Sequence, residues 1–428
     1  MLDLKFILAN LAAVKQNCIN RNIKVDLENL VQLDEERRTL LNQVEEIRRQ
    51  QNENAKAMKT KLSPEEREGF ITKGRELKEQ EAEENKKLAE VSQQLDTIIR
   101  QIPNMTHPEA PIANSEAGNK EIRRWGKPTK FNFKIKDHLE LGKDLDLIDF
   151  ETAASVTGQK FYFLKNEAVL LEFALTQFAL QMLTKEGFTP IITPDLARAE
   201  ILDGIGFNPR GQETQIYSVE NSDLCLIATA EITLGGMLAN NILEESKLPL
   251  KYIGVSHCFR TEAGAAGKES KGLYRVHQFS KIEMFAFTTP DKSDEMHETF
   301  LGYEEKLFQN LGIPYRVVDI CTGDLGGPAY RKYDLEAWMP GRGENGDWGE
   351  ITSTSNCTDY QARRLKIKFR SENEKKPQFV HMLNGTAIAI SRALIAILEN
   401  YQQADGSVII PEVLQPYLQG QKRILAKE

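Results

Sequence analysis

The sequence of 428 residues lacks the long apolar runs and leader signals of membrane and secreted proteins. Its longest mostly apolar run, Ala387 to Leu398, is interrupted by Ser391 and Arg392 and is much shorter than the ~20 residues of a membrane helix. The first residues are acidic and amphipathic, without a basic segment or a small-residue cleavage site. We therefore expect no membrane association and a cytoplasmic location, although a processed organellar protein would have the same composition.

Cysteine is also scarce. The five cysteines are widely scattered along the chain: Cys18, Cys225, Cys258, Cys321 and Cys357. They form neither a disulfide framework nor the paired spacing of a zinc site. We expect reduced thiols in a reducing compartment, and no zinc.

An excess of positive charge is absent as well, because 55 Lys and Arg against 63 Asp and Glu give a net charge of −8. A strongly basic chain would have indicated a nucleic-acid partner. RNA binding is not excluded, since it requires only a local basic stripe. Six basic residues recur in one segment: Arg37, Arg38, Arg48, Arg49, Lys56 and Lys59. They form either a phosphate-binding stripe or an ordinary solvated helix surface.

Residues 27–102 contain no Trp or Tyr and only one proline, Pro64. Leucines and other apolar residues recur there at alternating spacings of three and four, the pattern of a coiled-coil seam. Ser63, Pro64 and Glu66 predict a helix start between two such segments. The pattern predicts an antiparallel helical hairpin whose second helix, of ~38 residues, is about 55 Å long. Polar seam residues predict a loosely packed tip.

The rest of the chain predicts an α+β fold. Residues 103–125 are rich in Pro, Gly, Asn and Ser and are interpreted as a linker between an N-terminal domain, 1–102, with its hairpin at about 27–102, and a second domain, 126–428. Strand-like segments at 250–260, 273–287, 315–320, 333–339 and 378–391 do not alternate regularly with the helices expected at 169–183 and 391–401. This order favours a mostly antiparallel sheet flanked by helices.

Two neighbouring segments bear on ligand binding. Gly264 to Ser270 superficially resembles a phosphate-binding P-loop, but Glu262 and Glu269 occupy positions that require Gly and Ser or Thr.

In the strand expected at 273–287, period-two alternation places these residues on one face: Leu273, Arg275, His277, Phe279, Lys281, Glu283 and Phe285. Because unpaired buried charges are costly, we expect this face to line a cleft. Arg275, Phe279 and Glu283, with Arg260 nearby, would suit an extended ligand with a phosphate, an aromatic ring and an ammonium group. A solvent-exposed ladder of salt bridges is the alternative.

Several segments resemble the class II aminoacyl-tRNA synthetases in their seryl version. Phe259-Arg260-Thr261-Glu262 and the stretch from Gly272 to Phe285 (GLYRVHQFSKIEMF) closely resemble motif 2. EGFTPIITP, ending at Pro194, is similar to motif 1, and Asn384 to Gln402 is similar to motif 3. The hairpin, followed by Ile-Pro-Asn, resembles the tRNA-binding arm. The resemblance to the seryl-tRNA synthetase family covers essentially the whole chain in the right order.

The resemblance implies an α+β class II catalytic domain and a reaction in two steps. L-Serine and ATP give seryl-adenylate and pyrophosphate, and the seryl group then moves to the 3′ end of tRNA-Ser, with tRNA-Sec as a second candidate acceptor. It also implies Mg²⁺ as cofactor, tRNA binding by the N-terminal arm and a homodimer that uses Pro194.

The resemblance further implies roles for individual residues. Arg260, Arg275 and Arg392 are the expected catalytic residues, with Arg260 on the α-phosphate and the other two on the pyrophosphate end. The expected ATP-binding set is Arg260, Thr261, Glu262, Arg275, Phe279, Glu350, Ile351, Thr352, Ser353 and Arg392. The expected serine-binding set is Thr229, Ala230, Glu231, Arg260, Glu283, Asn384 and Thr386. Glu350 and Ser353 are the expected Mg²⁺ ligands.

Two alternatives stay open at this point. One is a synthetase-like protein that activates serine and transfers it to a carrier protein, and the other is an inactive paralogue that acts as a coiled-coil binding module. The long hairpin argues against the first, and the three retained arginines argue against the second.

Overall fold

The computed structural model describes residues 1–207, 215–263, 271–371 and 376–426, so the segment Gly264 to Ser270 lies outside the described residues. The chain divides into two compact units, Met1–Met105 and Thr106–Glu428. Within the described ranges, no helix is both long enough and apolar enough to cross a membrane.

The first unit is helical. Its helices are α1 (Leu4–Ala9), α2 (Leu11–Asn20), α3 (Leu27–Ala57) and α4 (Pro64–Gln101). Polar contacts join α3 and α4 in opposite chain order: Arg48 with Glu81, Gln51 with the carbonyl of Leu77, and Asn54 with the carbonyl of Phe70. This order confirms the antiparallel hairpin, and α4 has the expected length of 38 residues.

The start of α4 and the seam follow the sequence pattern. The Ser63 hydroxyl accepts a hydrogen bond from the Glu66 N–H, and the Glu66 carboxylate accepts one from the Ser63 N–H, with Pro64 at the first helical position. Apolar seam residues are buried toward the base of the hairpin: Leu30, Leu33, Leu40, Val44, Val91, Leu95 and Ile99. Toward the tip the seam contains the buried polar Asn54, so apolar packing is weaker there.

The second unit contains eight helices and seventeen strands in its described residues. The helices are α5 (His138–Asp144), α6 (Phe150–Val156), α7 (Glu167–Lys185), α8 (Ala199–Ile205), α9 (Ala230–Gly236), α10 (Ser293–Asn310), α11 (Tyr360–Leu365) and α12 (Ile390–Tyr401). The strands are β1 (Lys120–Trp125), β2 (Ile148–Asp149), β3 (Phe163–Leu164), β4 (Thr189–Ile192), β5 (Leu196–Arg198), β6 (Leu224–Leu226), β7 (Ile242–Glu244), β8 (Leu250–Phe259), β9 (Gln278–Thr288), β10 (Tyr315–Asp319), β11 (Arg331–Met339), β12 (Asp347–Asn356), β13 (Lys368–Arg370), β14 (Gln378–Phe379), β15 (His381–Ala389), β16 (Val408–Ile409) and β17 (Arg423–Ile424).

An eight-stranded sheet in the order β1-β10-β11-β12-β15-β9-β8-β4 organises the described part of this unit. All its pairs are antiparallel except β4 with β8. Helices α7, α10 and α12 contribute to one core, and α8, α9 and α11 contribute to another that includes Phe285 and Phe287 of β9. The expected α+β fold with a mostly antiparallel sheet is confirmed.

Three local predictions need correction. The strand expected from residue 273 begins at Gln278, because Gly272–Tyr274 forms a 3₁₀ turn in which Gly272 has φ of 56°. Phe285 packs in a core rather than in a cleft, since elements cover both faces of β9 and no simple alternation remains. Lys120–Trp125, within the expected linker 103–125, forms the edge strand β1. All six of its residues are exposed, so the sequence there lacks the alternation of apolar and polar residues that would predict a strand.

Candidate active site

A cavity of about 220 Å³ is lined by residues of β9, β11, β12, β15, α9 and α12 and of the segments beside them. It brings together most of the residues expected from the sequence: Thr229, Glu231, Arg260, Glu262, Arg275, Phe279, Glu283, Glu350, Ile351, Thr352, Ser353, Asn384, Thr386 and Arg392. These residues come from segments up to 163 positions apart in the chain, from Thr229 to Arg392, so the tertiary fold alone makes them neighbours. The charged face of β9 therefore lines a cleft and is not a solvent-exposed ladder of salt bridges.

Three expected residues do not line the cavity. Ala230 is fully buried at the start of α9, where a Cβ on Gly254 of β8 would lie 2.9 Å from it. The Thr261 N–H donates to the carbonyl of Gln215, and its hydroxyl accepts from the Ala263 N–H. Pro194 is exposed just after β4. Ala230 therefore positions its neighbours by packing, and Thr261 shapes the turn after β8.

Arg260 directly follows β8 and is fixed by its backbone. Its N–H donates to the carbonyl of His277 at 2.9 Å, and its carbonyl lies 2.9 Å from His277 Nδ1. The guanidinium lies 5.3 Å from the centre of the Phe279 ring. A cation and an aromatic face are thus presented side by side.

Arg275 and Glu262 form a close ion pair, with Arg275 Nη1 2.6 Å from Glu262 Oε2. Glu262 has a positive φ of 51°, a conformation that non-glycine residues adopt rarely. The Glu262 side chain is nearly buried. The pair places a carboxylate directly against the Arg275 guanidinium.

Arg392 and Glu350 form a second ion pair, with Arg392 Nη1 3.1 Å from Glu350 Oε1. The same nitrogen donates to the Glu350 carbonyl at 2.9 Å. The Tyr274 ring lies between the guanidiniums of Arg392 and Arg342, at 4.7 and 4.5 Å from its centre. Although burial opposes ionisation, the charges of Arg392, Lys332 and Arg260 lower the pKa of Glu350 to about 2. Glu350 is therefore a carboxylate at neutral pH.

Glu283 and Glu231 lie at another part of the cavity. Lys281 Nζ is 2.6 Å from Glu283 Oε2, and the Thr386 hydroxyl donates to the same oxygen at 3.2 Å. Glu231 Oε1 accepts hydrogen bonds from Gln361 and Asn384 at 2.7 and 3.0 Å. Burial, followed by repulsion from Glu283, raises the pKa of Glu231 to about 7.

Beside Glu350, β12 contributes Thr352 and Ser353. The Thr352 hydroxyl donates to the fully buried Glu304 of α10 at 2.8 Å, so this donor is already engaged within the protein. Lys332 lies 3.0 Å from Asp334, whose pKa is raised to about 7 by burial in spite of that ammonium. The described residues include no group of three or more His, Cys, Asp or Glu side chains able to hold a metal ion.

Sequence reasoning missed several lining residues: Phe207, Tyr274, Val276, Lys281, Lys332, Ala389 and Ser391. Lys281 was visible as a charge on the expected face of β9, but nothing in the pattern gave it a role. A period of two continued through residues 273–287 would place Tyr274 and Val276 on the opposite face, but the 3₁₀ turn before β9 breaks that period. Lys332 had no local signal, since only strand pairing brings β11 beside β12.

Family models match both units of the chain. Residues 1–106 match the seryl-tRNA synthetase N-terminal domain, and residues 215–401 match the tRNA synthetase class II core domain (G, H, P, S and T). The serine–tRNA ligase of Treponema denticola is 58% identical over 97% of this chain and 98% of its own length. That of Rubrobacter xylanophilus is 56% identical, with 98% of each chain covered.

Solved structures of seryl-tRNA synthetases have the same fold as this chain. The seryl-tRNA synthetase from Pyrococcus horikoshii, crystallised with ATP, is 44% identical, with a TM-score of 0.91 and 100% of both chains covered. The cytoplasmic serine–tRNA ligase from Naegleria fowleri, in complex with AMP, is 34% identical, with a TM-score of 0.87 over 100% of this chain and 99% of that one. With identities this high over nearly the full length, the chain belongs to the seryl-tRNA synthetase family.

Proposed function

We propose that this chain is an ATP-dependent, AMP-forming serine–tRNA ligase. The observation that carries the proposal is the single cavity in which three arginines, the Phe279 ring and the paired Glu283 converge, in a chain that resembles serine–tRNA ligases over almost its whole length. Basic groups suit the phosphates of ATP, the ring suits adenine, and the carboxylate suits an amino acid's ammonium. A carrier-protein acylase and an inactive binding module are not favoured.

In the first step, the serine carboxylate attacks the α-phosphorus of ATP. A bond forms between that carboxylate oxygen and phosphorus, the bond to the bridging oxygen breaks, and pyrophosphate leaves. No general base is needed, since the carboxylate is already ionised. Arg260 would stabilise the charge on the α-phosphate, while Arg275 and Arg392 hold the departing pyrophosphate. Phe279 would stack on adenine, and Glu262 would accept a hydrogen bond from it.

Serine would be recognised by an ion pair and by hydrogen bonds together. Glu283 would bind the α-ammonium, and Thr386, Asn384, Thr229 and Glu231 would surround the rest of the amino acid. A site built to hydrogen-bond a hydroxyl group rejects alanine, because its buried polar groups would be left unpaired. Ala230 would support these contacts from behind.

Mg²⁺ fits the donors available beside the phosphate end. Glu350 offers an ionised carboxylate and Ser353 a hydroxyl, and both are the oxygen ligands that this hard cation prefers. Two protein ligands leave room for phosphate oxygens and water, as is usual for Mg²⁺ bound with a nucleotide. When bound, the ion would neutralise phosphate charge. Ile351 and Thr352 would hold β12 in place there.

The N-terminal unit would bind tRNA-Ser through its hairpin, with 126–428 as the catalytic domain. Of the six basic residues in the expected stripe, Arg37, Arg38, Arg48 and Arg49 are ion-paired within the hairpin, whereas Lys56 and Lys59 have no ion pair within the first unit, all of which is described. These lysines near the tip are the best candidates for phosphate contacts. A cytoplasmic location is consistent with the five free, buried cysteines.

The decisive experiment is charging of a total tRNA pool by the purified protein with labelled serine, ATP and Mg²⁺, with threonine and alanine as controls. We expect charging with serine only. Serine-dependent ATP–pyrophosphate exchange without charging would instead support transfer to a carrier protein. Absence of both reactions would support the inactive paralogue.

A further inference from the structure

Lys281 is a charged residue of the cavity that has no part in the proposed function. Lys281 lies on β9, two positions before Glu283, and is only 6% exposed. Burying an ammonium is costly unless its charge and its three N–H donors are satisfied. Its surroundings therefore indicate what the residue does.

The lysine contacts both members of a polar pair. Its Nζ lies 2.6 Å from Glu283 Oε2 and 3.4 Å from Thr386 Oγ1. The Thr386 hydroxyl donates to the same Glu283 Oε2. Strand register explains the grouping, because Thr386 pairs with Glu283 between β15 and β9, and a bulge after Thr386 changes the register beside Lys281.

Two consequences follow from these contacts. Both neighbours engage Oε2 of Glu283, so Oε1 is the oxygen that remains for a substrate ammonium. Lys281 has three donors, and Glu283 and Thr386 take two of them, which leaves one N–H for an acceptor in the cavity. That acceptor would lie beside Thr386, at the place proposed for the amino-acid side chain.

The balance of charges around Glu231 and Glu283 also favours a neutral substrate side chain beside Lys281. Glu231 and Glu283 repel one another across the pocket, and Lys281 and Arg260 both act to lower the pKa of Glu231. Lys281 balances one of the two carboxylates, so a single α-ammonium balances the other. A neutral, hydrogen-bond-accepting side chain is then the best match.

We propose that Lys281 is a specificity-determining residue that donates a hydrogen bond to the serine hydroxyl oxygen. This proposal rests on the proposed function, since it assigns a group of the same pocket. The ligand class is an L-amino acid with a short side chain carrying one hydroxyl.

The test compares L-serine with L-alanine, which lacks only the hydroxyl group. Lys281→Met removes the donor, Lys281→Gln keeps a neutral donor, and Lys247→Met at an exposed position is the matched control. The KM for serine and the inhibition constant of alanine are measured by ATP–pyrophosphate exchange. For Lys281→Met we expect the serine KM to rise roughly 10- to 100-fold, with the alanine constant and the KM for ATP changed less than about threefold. Lys281→Gln should fall between Lys281→Met and the unaltered protein.

The outcomes separate a specific role from a structural one. Equal losses for serine and alanine, or no loss, would overturn the role of Lys281 while leaving the proposed function intact. If Lys281→Met does not fold, as judged by circular dichroism, the ratio of the two constants in Lys281→Gln decides in the same way. Absence of serine-dependent exchange in the unaltered protein would overturn the proposed function and this proposal together.

Discussion

Each arginine expected to act on ATP already contacts protein groups. Arg275 pairs with Glu262, Arg392 pairs with Glu350, and Arg260 faces the Phe279 ring. Phosphate oxygens would therefore compete with two carboxylates for the guanidiniums, and the ion pairs hold the side chains in place beforehand. Preorganised charge of this kind is effective because it needs little rearrangement during the reaction.

At the residue scale, Glu283→Ala should impair serine binding selectively. Glu283 is the buried carboxylate proposed for the α-ammonium, so its loss should raise the serine KM roughly 30-fold or more, with a much smaller effect on the ATP KM. ATP–pyrophosphate exchange at varied serine and ATP concentrations measures both values. Glu220→Ala, at an exposed position, is the control. Equal increases in the two KM values would contradict the ammonium-binding role.

Glu231→Gln should stabilise the folded protein at alkaline pH. Burial and repulsion from Glu283 raise the pKa of Glu231 to about 7 from an ordinary value of 4.5. The folded state then binds this proton more tightly than the unfolded state, so its contribution is favourable at low pH and is lost as pH rises from 4.5 to 7. Glutamine avoids that loss, on the order of 3 kcal/mol.

Thermal midpoints at pH 5 and pH 8 measure this difference. The variant should be distinctly more stable than the unaltered protein at pH 8 and closer to it at pH 5, because glutamine can still accept the bonds from Gln361 and Asn384. An identical difference at both pH values would show that the proton on Glu231 is not linked to folding.

At the scale of elements, the hairpin of α3 and α4 is self-contained. Its apolar seam, capping box and interhelical polar contacts all lie within the first unit. The pattern was readable from the sequence because helix periodicity and caps are local properties. The alternating spacing after Leu95 predicts Ile98 in the seam, but Ile99 is the buried residue there.

Deleting about Leu33 to Leu95 should separate the two steps of the proposed reaction. The residues proposed for adenylate formation all belong to the second unit, so this step should stay nearly normal, whereas tRNA charging should be abolished with the loss of the hairpin. Exchange and charging assays on the same sample measure the two steps, and the full-length chain is the control. Normal charging by the truncated protein would refute the proposed role of the hairpin.

At the scale of the whole molecule, an exposed apolar surface on α7 and β4 favours self-association. Leu170, Phe173 and Ile192 are 50%, 63% and 86% exposed, and Ile192 lies two positions before Pro194 in the chain. Apolar residues grouped in this way commonly mark protein interfaces. We expect a homodimer built on this surface.

Phe173→Asp should shift the protein from dimer to monomer, because a buried unpaired carboxylate would oppose association. The exposed side chain makes few contacts within the protomer, so folding should be unaffected. Light scattering after size-exclusion chromatography measures the mass, and Ile112→Asp, at another exposed apolar position, is the control. A dimer that persists in the Phe173→Asp variant, or a monomeric unaltered protein, would contradict this surface.

The sequence by itself determined the hairpin, the α+β class and the family, because these follow from local periodicity, caps and contiguous motifs such as that around Arg260. Most of the site residues were identified by that resemblance. The tertiary structure alone decided which side chains pair. The turn before β9 brings Tyr274 to the cavity together with Arg275, and strand pairing brings Lys332 of β11 opposite Ser355 of β12, at the edge of the same cavity. Such contacts depend on register and burial across distant segments, which no local pattern encodes.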